Sequence, residues 1–198
     1  MGKGAETRER IVKKAMALAS RDGLAGVTIG ALASETHLSK SGLFAHFGSK
    51  EELQLTVLDQ TAADFTESVL KPALASPRGV MRLAVFFDRW LDWAQDRRFP
   101  GGCLMIAASA ELDDRPGPQR DRVVAHQKDL VDSIARMAQG AVDEGQFRAD
   151  LDCKQFAHDV YALYVGYHQL RRLLRDRNEG ARVRASFDRL VEWARRRE

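Results

Sequence analysis

Five histidines (His37, His46, His126, His158, His168) and two cysteines (Cys103, Cys153) are the side chains of this 198-residue chain best suited to ligate a metal or act as nucleophile and base. They show no HExxH, CxxC or other metal-ligand spacing, so no metal, cofactor or nucleophilic chemistry is expected. A different chemistry is written in Ser39-Lys40-Ser41-Gly42-Leu43-Phe44-Ala45-His46-Phe47. A helix that sinks its N-terminal end into the DNA major groove needs small polar side chains there, and an apolar back to hold it on its neighbours. Ser39, Lys40, Ser41 and Gly42 supply such an end; Leu43 and Phe47, four apart, supply such a back.

Charge points to the same region. The net charge is +3. Residues 1–50 hold eight basic side chains (Lys3, Arg8, Arg10, Lys13, Lys14, Arg21, Lys40, Lys50) against four acids (Glu6, Glu9, Asp22, Glu35). The remaining 23 basic and 24 acidic residues nearly cancel. The excess positive charge therefore lies in the first quarter, where a polyanionic partner is expected.

All five prolines fall between residues 72 and 118 and β-branched runs are few, so the fold class expected is all-α. Nine helices are read. The first runs from about Glu6 to Arg21, with Ile11, Ala15 and Leu18 on one face. The second follows Thr28 as N-cap and the third spans Ser39 to Phe47, closed by Gly48. Ser49-Lys50-Glu51-Glu52 reads as a capping box in which Glu52 reaches back to Ser49, opening a helix from Lys50 to about Leu70. Ser76-Pro77 reads as N-cap and first-turn proline of a helix through Arg98. Further helices are read over about 103–112, 119–144, 152–177 and 181–196.

Three short helices at the N-terminus, the second and third separated by a few residues, are the pattern of a helix-turn-helix. Thr28 through Leu53, with Leu38-Ser39-Lys40, Leu43-Phe44, His46-Phe47 and Ser49-Lys50-Glu51-Glu52-Leu53, resembles the DNA-binding region of TetR-type transcriptional regulators. The resemblance covers about residues 6–55 and implies a DNA-binding domain over 1–50. It further implies a larger helical domain over 51–198 that binds a small molecule and forms a homodimer. By the same resemblance Thr28 contacts a phosphate, Lys40, Ser41 and Gly42 face base edges, with Ser39 beside them in the DNA-binding set, and His46 and Lys50 grip the backbone. Two positions depart from the family pattern. Phe44 stands where the family has Tyr, which removes a hydroxyl but leaves a ring to pack on sugar; His37 stands at the usual turn glycine, where a positive φ is expected.

Phe156, Val160, Leu163, Tyr167, Leu170 and Leu174 recur at intervals of 4, 3, 4, 3 and 4, and Val183, Phe187 and Leu190 form a second stripe. These nine residues are expected to form the dimer interface, as a four-helix bundle about a two-fold axis. Phe65, Phe86, Trp90, Cys103, Met105, Tyr161 and Tyr164 are the candidate lining of an effector pocket, with the Phe99–Pro118 segment and its Glu111 as a mobile wall.

The longest stretches without a charged residue, 23–34 and 99–110, are 12 residues each, short of the roughly 18 that a membrane-spanning helix needs. With a polar N-terminus and two cysteines, a cytoplasmic protein with no membrane partner is expected. The leading expectation is a ligand-responsive regulator, a repressor that binds palindromic operator DNA as a homodimer and is released by a small molecule. Two alternatives stand beside it: an effector-free architectural DNA binder, and an all-α enzyme.

Overall fold

A computed structural model describes residues 3–195. The elements are α1 (Lys3–Asp22), α2 (Ile29–Thr36), α3 (Lys40–Phe47), α4 (Lys50–Phe65), a π-helical turn (Thr66–Leu70) and α5 (Lys71–Ala75). They are followed by α6 (Val80–Ala94), α7 (Leu104–Leu112), α8 (Pro118–Asp143), α9 (Cys153–Arg172) and α10 (Glu179–Ala194). Among the described residues there is no strand, only an isolated bridge between Phe147 and Arg195. The chain is all-α.

Phe65, Leu70 and Lys71 all keep right-handed helical dihedrals, so the backbone stays helical through the π turn into α5, beyond the end expected at Leu70. Pro72 explains the π turn. Proline donates no hydrogen bond and its ring crowds the carbonyl four residues back. Widening the preceding turn, with the Lys71 amide donating to the Thr66 carbonyl five residues away, loosens the backbone where that crowding falls.

Ser76 and Pro77 do not open α6. Ser76 is extended, closes α5 and donates its hydroxyl to the Ala73 carbonyl. Gly79, at φ 97°, breaks the chain again. The Val80 amide at the start of α6 donates to Gln146 Oε1 at 2.7 Å, a partner distant in sequence. Helix α6 also stops at Ala94, short of Arg98. Helix α9 ends at Arg172 rather than 177, because Arg175 turns left-handed (φ 55°), so Leu174 lies outside the helix. Ser49 caps the Glu52 amide as expected (3.0 Å), but the Ser49 amide donates to the Phe47 carbonyl (2.7 Å), which takes the place of the reciprocal bond from Glu52.

Two compact units result, one built from residues up to Asp64 with Gln95–Ala125, the other from Phe65–Ala94 with the chain from His126 onward. The packing thus groups the chain differently from a division at 50/51. Leu53, Val57 and Leu58 of α4 are wholly buried with the first three helices, and α7 packs on α1. In that first unit Ile11, Ala15, Leu32 and Leu43 are fully buried, Gln54 donates to the Leu24 carbonyl, and Arg8 lies over the Phe47 ring. Gly101 approaches α1 so closely that a side chain there would collide with the Ser20 carbonyl, and its amide donates to Ser20 Oγ at 2.9 Å.

The core of the second unit is aromatic. Phe87 stacks on Phe187 at 4.0 Å and Trp90 on Tyr164 at 3.9 Å, with Tyr167 edge-on to Trp90. Such pairs contribute about 0.5–1.5 kcal/mol beyond their buried area. The expected dimer stripes are largely consumed here. Phe156, Val160, Tyr167, Val183 and Phe187 are buried within their own unit, which removes them from any surface a partner could reach. Leu163 and Leu190 are half-buried; Leu170 and Leu174 are exposed. An apolar face on a helix reads the same in sequence whether its own domain or a second chain covers it.

Candidate nucleic-acid interface

The head of the candidate interface is assembled from α2, the turn and α3. Thr28, extended at φ −120°, caps α2 by accepting from the Ala31 amide at 3.1 Å. The turn reverses at His37, which takes the left-handed conformation (φ 57°, ψ 28°) at the position where a glycine is usual. Ser39 then caps α3, accepting from the Gly42 amide at 3.1 Å, with its hydroxyl 3.2 Å from that of Ser41. Gly48, at φ 68°, ends α3 and donates to the Phe44 carbonyl.

Leu43 and Phe47 face inward, 0% and 3% exposed, whereas Ser39, Lys40 and Ser41 are exposed and Gly42 is half-buried. The small polar end of α3 is therefore open to solvent while its apolar back is held. The Lys40 stem lies beside α2, its Cε 4.0 Å from where a Cβ on Gly30 would stand, an ordinary contact distance. Phe44 is half exposed, a large apolar ring two residues after Gly42 on α3. His46 is half-buried, its ring tilted against Phe47. Lys50 is exposed and donates to the Ala25 carbonyl at 3.3 Å, which ties the start of α4 to the loop after α1 and leaves two ammonium hydrogens for another acceptor. Behind the head, hydrogen bonds from Arg21 hold the Asp22 carboxyl below its ordinary range.

One link at the site joins segments far apart in the sequence. The Glu111 carboxylate on α7 accepts from the Leu24 and Ala25 amides, both at 2.7 Å, clamping α7 to the loop between α1 and α2. Glu111 is thus a fastening point between α7 and that loop. Its only sequence signal was an acid in a helix whose mates are apolar. Of the candidate pocket residues, Phe65, Phe86, Trp90, Tyr161 and Tyr164 fall in the second unit, while Cys103 and Met105 fall in the first. Trp90 and Tyr164 lie face to face and leave no space for a ligand between those two rings. Among the described residues no group of three His, Cys, Asp or Glu is placed to hold a metal ion, and no helix is long and apolar enough to cross a membrane.

Residues 11–57 match the family model of bacterial regulatory proteins of the tetR family, and residues 79–187 match the tetracyclin repressor-like C-terminal domain. The chain belongs to the TetR family. Its helix-turn-helix is that of a TetR-family DNA-binding regulator, and the family's relatives are similar along much of the chain. The HTH-type transcriptional repressor AcnR of Corynebacterium glutamicum is 28% identical over 149 residues, 75% of this chain and 73% of its own. The HTH-type transcriptional repressor NicS of Pseudomonas putida is 32% identical over 83 residues, 41% of this chain and 39% of its own. A TetR transcriptional regulator from Chloroflexus aurantiacus superimposes with a TM-score of 0.85 at 29% identity, over 98% of this chain and 96% of that one.

Proposed function

We propose that this TetR-family chain is a non-enzymatic, cytoplasmic transcriptional repressor that binds palindromic operator DNA as a homodimer and is released by a small-molecule effector. The single observation that carries the DNA-binding part is the exposed Ser39–Gly42 end of α3 above a buried Leu43–Phe47 back. Lys40, Ser41 and Gly42 read base edges, Thr28, His46 and Lys50 hold phosphates, and the Phe44 ring packs on sugar. A lone recognition helix reads one half-site; two on a two-fold axis read a palindrome spaced by about one helical turn or a multiple of it. Val165, Leu170, Leu173 and Leu174 of α9 and its C-terminal extension are exposed apolar side chains, and they support a partner surface there.

Release is a population shift: the effector binds more tightly to the state whose recognition helices are wrongly spaced. The Glu111 clamp supports this coupling, because a displacement of α7 is carried directly to the loop that leads into α2. Selection of bound sites from random duplex DNA by the purified protein is the test. A two-fold symmetric site is the expected result; an asymmetric site, or none, refutes the dimeric operator reading.

A further inference from the structure

A cavity of about 360 Å³ opens in the second unit where the π turn and α5, the start of α6 and helix α8 meet. Leu70, Leu74 and Met137 give it an apolar lining, and Arg78, Arg82 and Arg136 a cationic one. The three arginines are not equivalent. Arg78 is matched by Asp143 at 2.9 Å and Glu144 at 3.7 Å. Arg82 spends Nε and Nη2 on the Ser76 carbonyl, at 3.3 and 2.9 Å, a neutral acceptor that fixes the guanidinium without cancelling its charge. Arg136 donates once, to Ser133 Oγ at 2.9 Å, again a neutral group. Among the described residues neither Arg82 nor Arg136 forms an ion pair, and no carboxylate lines the cavity.

We infer that this cavity binds a small organic anion, an anionic headgroup carried on a short apolar body. Two uncompensated guanidinium groups lining one concavity raise its potential and concentrate anions there. Each retains N–H donors in the planar fork that matches carboxylate or phosphate oxygens. Leu74 is 54% exposed, apolar surface that a hydrocarbon body would cover with gain. The volume lies in the lower part of the range that small-molecule sites occupy. Carboxylates and phosphate monoesters share this chemistry. The inference concerns the second unit alone, and it stands or falls independently of operator binding.

Isothermal titration of the full-length protein with octanoate, octyl phosphate, 1-octanol and octyltrimethylammonium tests it. Saturable binding of at least one anion, weakening as salt is added, is expected, and the tighter of the two identifies the headgroup. Arg136→Gln should weaken that binding roughly tenfold and leave the ligand-free melting temperature unchanged, because its bond is to its own helix surface. Leu74→Glu, at a position already half in solvent, should abolish it. Absence of saturable binding by either anion, equal binding of 1-octanol or the ammonium compound, or undiminished binding by both variants overturns the inference.

Discussion

Lys40 and Lys50 bring the same charge to the head in different settings, and their substitutions separate the two ways a protein holds DNA. Lys40 stands in the first turn of α3, its stem beside Gly30 and its ammonium at the end that faces base edges in the proposed complex. Lys40→Ala should cost about 1–3 kcal/mol on the best site and relax selectivity at one position per half-site. An unchanged base preference in the selected sites would restrict Lys40 to the DNA backbone. Lys50 already donates to the Ala25 carbonyl, and in the proposed complex its remaining hydrogens go to a phosphate. Its replacement by Ala should weaken binding to all sequences alike and flatten the salt dependence of log affinity by a little under one unit per half-site. A salt slope equal to the parent's would take Lys50 out of the interface.

At the scale of elements, the fastening of α7 to the head is the feature with the largest mechanical consequence. Two amides, Leu24 and Ala25, converge on one carboxylate, and Leu24 is 1% exposed, so removing the acceptor strands a backbone donor. Glu111→Ala is expected to destabilise the first unit by about 1–3 kcal/mol, read as a lower urea midpoint, since an unsatisfied buried amide costs that much. A midpoint within error of the parent would mean that water replaces the carboxylate at no cost. The π turn before Pro72 is a smaller case, in which one residue makes the backbone depart from its default; at His37 the order is reversed, and the turn holds left-handed a residue that does not favour that conformation.

For the molecule as a whole, the question is which apolar surface is left once each unit has closed its own core. Val160, Tyr167 and Phe187 are spent inside, Phe187 stacked on Phe87 and Tyr167 edge-on to Trp90 of α6, whereas Leu173 and Leu174 remain 72% and 65% exposed. Replacing both with Asp should leave the single-chain fold intact, because the new carboxylates stay hydrated. Burying them between two subunits would strip that hydration without a counter-ion, at a cost of several kcal/mol. Sedimentation is expected to show the double variant as a 22.2 kDa monomer that has lost tight operator binding. A variant that remains dimeric would move the interface elsewhere.

Features local to the chain follow from neighbouring residues alone. Helix-scale periodicity, Thr28 and Ser39 as caps, Gly48 as a stop and the spacing from Leu38 to Leu53 are all set by side chains a few residues apart, and the reading head was legible from them. Tertiary structure decided whatever joins distant segments. Gln146 caps α6, Glu111 holds the loop after α1, and Arg82 and Arg136 meet around one cavity from separate helices. It also decided which of two apolar faces on α9 was spent on the chain's own core. Burial is a property of the partner surface as well as of the residue, and no pattern of spacing along one helix specifies what lies across from it.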